Sequence, residues 1–234
     1  RYRSSAASDV YKRQGFARHL TASEIFEQAQ RFSAELRAKG ERLSNVVMMG
    51  MGEPLHNYDA ALTGVRRLMS DLGIGARHIT ISTVGLPKRI KQFSEEGLQV
   101  KLAISLHAAT DVTRSKMLPI NRKYPIDVLL DAVRDYVDTT GRRVTFEWAL
   151  IAGENDSVAE AARLGRLLRG IKCHVNLIPL NPTKKYGGQP TSPADVEAFV
   201  DTLAKYRIPA TVRVRRGIDI DAGCGQLSER EQAG

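Results

Sequence analysis

Cysteine is scarce: the 234 residues hold two, Cys173 and Cys224. Two thiols exclude a disulfide framework, and they exclude any four-cysteine zinc or iron–sulfur site made by this chain alone. Long apolar runs are missing as well. No stretch approaches the roughly 20 residues that a membrane helix needs, and no secretory signal is recognisable. No membrane contact and a cytoplasmic, reducing compartment are therefore expected. The dinucleotide fingerprint is incomplete, because Gly50-x-Gly52 has no third glycine at the required spacing. No segment repeats at a fixed period, which argues against a solenoid.

What is present fits one large α/β domain with a continuous core, since 42% of the residues are hydrophobic. Lys and Arg number 35 against 26 Asp and Glu, a net charge of +9 with a pI near 9.7. That excess suits a polyanionic partner without requiring one. Residues 1–13 (RYRSSAASDVYKR) carry no sustained apolar period and read as a disordered or foreign tail, leaving 14–234 as the folded unit.

From Thr21 the chain alternates. Thr21 and Glu24 form a capping box, followed by Ile25, Ala29, Phe32 and Leu36 at helical spacing. Asn45–Met49 is a short apolar run closed by turn residues and predicts a buried strand. Helices are predicted over 60–72 and 87–96, from Pro125, from a second capping box at Ser157 and Glu160, and from Ser192-Pro193. Strands are predicted over 78–83, 100–106, 144–150, 174–178 and 210–214. This strand–helix order predicts a parallel sheet flanked by helices. It opens on a helix, so one strand before Thr21 is missing from the alternation.

Ligand sites in parallel α/β folds form at the C-terminal ends of strands. Here those ends carry Gly52-Glu53-Pro54, Ser82-Thr83, Ser105-Leu106-His107 and Pro179-Leu180-Asn181-Pro182. Together they predict a polar rim for a ligand of nucleotide or amino-acid type. Singly, Glu53 reads equally as a solvated loop carboxylate, His107 as a satisfied loop histidine, and Met48, Met49 and Met51 as core filler. Cys173 precedes a buried strand and reads as a small hydrophobe. Cys224 lies between two glycines in a polar loop, which favours an accessible, reactive thiol. Arg213, Arg215 and Arg216 precede it and give a field suited to thiolate, phosphate or RNA backbone, or else a solvated basic edge.

These stretches resemble a known family. Gln14-Gly15-Phe16, NVVMMGMGEPL (45–55), TISTVG (80–85), AISLHA (103–108), LPINRK (118–123), NLIPLNP (176–182) and GIDIDAGCGQL (217–227) are similar to the RlmN/Cfr-type radical S-adenosylmethionine (SAM) RNA methyltransferases. The likeness is to the type that methylates C2 of an adenine in 23S rRNA. The resemblance implies a partial TIM-like (β/α) barrel and places SAM on Gly52, Glu53, Ser82, Ser105, Leu106, His107 and Asn181. It makes Cys224 the residue that first accepts a methyl group. It further implies a second SAM cleaved by a reduced [4Fe-4S] cluster, an electron donor for that cluster, and 23S rRNA and tRNA as partners. Adenine C2 is not nucleophilic, so a cofactor-derived radical has to replace polar methyl transfer.

One departure stands out. The family holds its cluster in a Cys-x-x-x-Cys-x-x-Cys loop just before the stretch matching Gln14-Gly15-Phe16, and here a Ser/Ala tail occupies that place. No metal ligand is therefore assigned. The first barrel strand, the cluster loop, the resolving cysteine and the N-terminal RNA-binding domain are also unmatched. The expectation is a C-terminal portion joined to a non-native start and inactive as it stands. The alternatives are an adenine-C8 methyltransferase and a non-catalytic SAM- or RNA-binding remnant.

Overall fold

The computed structural model describes residues 18–50, 52–180 and 188–213; the expected tail at 1–13, Asn181 and Cys224 lie outside the described residues. The first helix, α1 (Ala22–Ala38), is set by both halves of its box: the Thr21 hydroxyl accepts from Glu24 N–H and the Glu24 carboxylate accepts from Thr21 N–H. Strands and helices then follow in turn: β1 (Val46–Met48), α2 (Tyr58–Ser70), β2 (Ile79–Thr83), α3 (Pro87–Ser94), β3 (Lys101–Ser105) and α4 (Asp111–Met117). After α4 come α5 (Ile126–Thr140), β4 (Val144–Leu150), α6 (Val158–Leu167), β5 (Cys173–Pro179), α7 (Pro193–Lys205) and β6 (Ala210–Val212).

The six strands lie side by side in chain order, and every neighbouring pair is parallel. That order matters. Parallel crossovers are right-handed, so a strand order that never reverses puts every connecting helix on the same side. A doubly wound sheet needs a reversal and has none here. The result is the wall of a (β/α) barrel, open among the described residues because β1 pairs only with β2 and β6 only with β5.

The two faces are chemically distinct, as the two-residue period of a strand allows. Ile79, Ile81, Leu102, Ile104, Val144, Phe146, Trp148, Val175 and Leu177 point to the helices and are fully buried. Trp148 of β4 meets Phe199 of α7 at a ring separation of 5.7 Å, and Phe93 of α3 stacks on Tyr136 of α5 at 6.0 Å. The inner face carries Thr80, Ser82, Ser105, Thr145, Glu147, His174, Asn176 and Thr211 instead.

Four local readings need correction. The Asn45–Met49 run is not a buried strand: Val47 is 53% exposed, because β1 has no second neighbour among the described residues. The short helix α4 and the 3-10 turn at Pro119–Arg122 were not anticipated. Pro125 sits at the N-cap of α5 rather than in its first turn. The Ser157 box is half formed, since the Glu160 carboxylate leaves it to accept from Ala109 N–H and to pair with Arg163.

Gly165 marks a tight contact between helices. A Cβ there would stand 2.5 Å from the ring of Tyr206, at the end of α7. Gly165→Ala is therefore expected to lower stability by about 1–3 kcal/mol despite alanine's better helix propensity. A urea melt checks it, and an unchanged midpoint would show that the α6–α7 seam has room to give.

Candidate functional site

The loop after β1 turns inward through glycine. Gly50 and Gly52 have φ of 129° and 101°, conformations that side chains disfavour. This turn brings Glu53 under the rim, where it is 6% exposed. One carboxylate oxygen accepts from Leu55 N–H at 3.0 Å and the other from Val84 N–H at 2.8 Å, so a single side chain ties the β1 loop to the β2 loop. Burial pushes its pKa up to about 7, against hydrogen bonds from Val84, Thr83 and Leu55 that pull it down. Glu53 is thus no solvated loop carboxylate.

The β3 end is built as tightly. His107 has φ of 59°, unusual outside glycine, and three contacts hold it there. Its N–H donates to the Glu147 carbonyl at 3.3 Å, its carbonyl accepts from Asn155 Nδ2 at 2.8 Å, and its Nδ1 accepts from Ala149 N–H at 2.9 Å. Asn155 also donates to the Ala149 carbonyl and accepts from Ile151 N–H, which locks the β4 end to the same knot. Burial, with Arg114 nearby, drives the His107 pKa down to about 3, so the ring is neutral. Because Nδ1 accepts a hydrogen bond, the ring proton sits on Nε2. That buried Nε2 has no partner among the described residues. An unpaired buried donor costs about 1–3 kcal/mol, which a ligand acceptor would recover.

Ser82 and Ser105 lie on the inner face beside these groups, both buried. Leu106 differs: its side chain is in the apolar core, and its backbone N–H donates to the Glu147 carbonyl. Any contact it makes with a ligand therefore runs through the main chain. Of the residues singled out from the sequence, the fold brings Gly52, Glu53, Ser82, Ser105, Leu106 and His107 to one rim.

Two groups at this rim were missed. Arg114 of α4 is fully buried and donates to the carbonyls of Val84 (2.6 Å), Ser105 (3.2 Å) and Leu106 (3.2 Å) and to Asn121 Oδ1 (2.8 Å). It joins the β2 and β3 ends from behind, and nothing in the polar run DVTRSKM signals that. The second is Glu147 on the inner face of β4, whose Oε2 accepts from Asn176 Nδ2 of β5 at 2.7 Å. Burial raises its pKa, offset in part by Asn176 and by Arg213. Its signal was legible: it is the one charge in the strand VTFEWAL, whose other residues are apolar except Thr145.

Buried donors and a carboxylate on a glycine-shaped rim suit a ligand rich in hydrogen-bonding groups, as SAM is. An iron–sulfur cluster fits less well. Among the described residues no three His, Cys, Asp or Glu side chains are grouped to hold a metal ion. Cys173 faces the helices and burial pushes its thiol up to about 11, far from the thiolate a metal requires.

Known proteins agree with this architecture. The model of the radical SAM superfamily matches residues 3–165. The dual-specificity RNA methyltransferase RlmN 1 of Myxococcus xanthus is 53% identical over 215 residues, spanning 91% of this chain and 60% of that protein. A probable dual-specificity RNA methyltransferase RlmN of Geobacillus kaustophilus is 47% identical over 222 residues, again 60% of its length. The chain thus spans about 60% of the curated relatives it matches. The crystal structure of a radical SAM methyltransferase from Sphaerobacter thermophilus superimposes with a TM-score of 0.90 at 50% identity, covering 93% of this chain and 64% of that one. A domain of pyruvate-formate lyase-activating enzyme from Bacteroides vulgatus shares the fold alone, with a TM-score of 0.58 at 18% identity over 74% of this chain and all of that domain. With the superfamily model matched over more than half its length and an open, one-sided parallel sheet ending in a polar rim, the chain belongs to the radical SAM superfamily.

Proposed function

We propose that this chain carries the SAM-binding rim and the methyl-accepting cysteine of an RNA methyltransferase that modifies C2 of adenine in 23S rRNA and in tRNA. The observation that carries the reading is the buried, neutral His107, whose Nε2 has no partner among the described residues, set on the same rim as the carboxylate of Glu53. The RlmN relatives, described as dual-specificity RNA methyltransferases, support RNA as the substrate and more than one target.

SAM, when bound, supplies the methyl group and the radical chemistry that adenine C2 demands. The chain's own residues do the holding. Glu53 offers a carboxylate to the cationic part of SAM, and the Ser82 and Ser105 hydroxyls and the His107 Nε2–H offer hydrogen bonds to its acceptors. Gly52 and the Leu106 main chain allow close approach, and Asn181 completes the set. Cys224, between Gly223 and Gly225 and preceded in the chain by Arg213, Arg215 and Arg216, would as a thiolate accept the methyl group on sulfur, with S-adenosylhomocysteine as the leaving group. The [4Fe-4S] cluster and its electron donor belong to the intact enzyme, because this chain's two cysteines cannot supply three cluster thiolates.

Three outcomes test the reading. SAM affinity is expected to rise about tenfold from pH 6 to pH 8, because Glu53 ionises near 7 and only the carboxylate attracts a cation. Calorimetric titration of Glu53→Gln should show that rise gone; the same pH slope in both proteins would remove Glu53 from the site. Anaerobic reconstitution of the chain should yield no iron–sulfur absorbance, and a stoichiometric cluster would overturn the inactivity. With a cluster-binding segment supplied, Cys224→Ala should abolish RNA methylation while SAM binding persists. Mass analysis of the modified nucleoside from the unsubstituted enzyme separates C2 from C8.

A further inference from the structure

Ser105, Glu147, Asn176 and Thr211 are register partners on β3, β4, β5 and β6, so their side chains form one row across the inner face. Adjacent strands stand about 4.8 Å apart, which makes the row about 14 Å wide. Ser105 ends β3, so the row lies at the level of the rim. Its Ser105 end belongs to the proposed SAM site, whose described residues all come from the ends of β1, β2 and β3. Glu147 and Asn176, on β4 and β5, have no ligand in that reading.

Their hydrogen bonding is incomplete in a specific way. Glu147 is 5% exposed, and only its Oε2 is bonded, accepting from Asn176 Nδ2 at 2.7 Å. Its Oε1 has no hydrogen-bond partner among the described residues, and Arg213 acts on the carboxylate only through space. This single bond also orients Asn176. An ionised carboxylate only accepts, so the amide must turn Nδ2 and not Oδ1 towards Glu147. Asn176 keeps one N–H and its Oδ1, neither bonded among the described residues. Thr211 does not take them up, because its hydroxyl is engaged by His174 Nε2 at 2.8 Å.

An amide N–H beside its carbonyl oxygen is the complement of one nucleobase edge. Adenine presents the N6 amine as donor next to N7 as acceptor, and an asparagine side chain pairs with both at once. Guanine has acceptors at both places, O6 and N7, and O6 would meet an amide oxygen with repulsion. Contact along N6 and N7 also leaves C2 free, since C2 lies between N1 and N3 on the other side of the ring. We infer that Asn176, oriented by Glu147, binds the target adenine of the RNA through N6 and N7 and so presents C2 at the rim. Glu147 is then a positioning residue and Asn176 the one that selects the base. The proposal rests on the adenine-methylating reading and adds to it how the base is recognised. SAM carries an adenine with the same edge, and the experiment separates the two sources.

The test is fluorescence anisotropy with a labelled 12-nucleotide oligouridine RNA holding one central adenosine. It is compared with the same RNA carrying 7-deazaadenosine, which lacks N7, or purine riboside, which lacks the N6 amine. Both analogues keep the charge, so phosphate contacts are held constant. The unsubstituted chain should bind each analogue about tenfold more weakly than adenosine. In Asn176→Ala, shown to be folded by a urea melt, both losses should vanish while SAM affinity by calorimetry is unchanged. Glu147→Gln, which allows the amide to turn over, should shrink both losses. A merely structural role for either residue would weaken all three RNAs alike and overturn the proposal. Equal binding of the three RNAs by the unsubstituted chain, a measurement that needs no variant, would also overturn it and leave the RNA reading standing. A fall in SAM affinity in folded Asn176→Ala would overturn it by giving the amide to SAM's own adenine. No binding of any of these RNAs at about 50 mM salt would overturn both readings.

Discussion

The guanidinium of Arg114 is the contact on which the rim depends. A buried cation is expensive, and this one has no carboxylate in hydrogen-bonding contact among the described residues. It is retained by three main-chain carbonyls and one amide oxygen, arranged to suit the planar fork of donors that only arginine presents. Those carbonyls end β2 and β3, so the same charge that needs solvating also sets the spacing between the two strand ends. Burial lowers its pKa to about 10, which leaves it charged at neutral pH. Asn121 passes the contact on to Asp111 at 2.8 Å, and Asp111 in turn accepts from Ile126 N–H at the start of α5. Through Asn121 the stretch LPINRK thus supports the β2 and β3 ends from behind.

The charge also acts through space. Arg114 adds to burial in keeping His107 neutral, and a neutral ring whose Nδ1 is already occupied has one role left, donation from Nε2. Glu53 is treated in the opposite way. It is buried with three hydrogen bonds to its charged form, which leaves its pKa near neutrality rather than far above it. The rim therefore pairs a fixed neutral donor with a carboxylate whose charge a bound cation would complete. One-sided winding is what permits both. With every helix on one side, the other face of the sheet is free to be polar, and Ser105, Glu147, Asn176 and Thr211 fall in register across four strands.

Much of this was legible from the amino-acid pattern. Alternation of apolar runs with capped helical periods was enough for the parallel sheet, and the strand-end rule groups Glu53, Ser82, Ser105 and His107 from the amino-acid order alone. What stayed hidden needed long-range geometry. Val112 of α4 is 71% exposed while Arg114 is buried, the reverse of an amphipathic reading, so that helix left no periodic trace. Val46–Met48 looked like a core strand because apolarity reports a buried face only when neighbours exist on both sides. The role of Asn155 depends on four contacts to residues of the β3 and β4 ends, which no local spacing encodes.

The scarcity of cysteine separates two halves of one chemistry. Binding SAM asks for donors, a carboxylate and close main-chain approach, all of which short polar strand ends can supply. Holding an iron–sulfur cluster asks for thiolates, and a thiol that faces apolar helices cannot ionise to become one. The structure gives Cys173 such a packing role. In the proposed reading Cys224 is the other thiol, and its flanking glycines and the arginines before it suit a methyl-accepting sulfur better than a metal ligand.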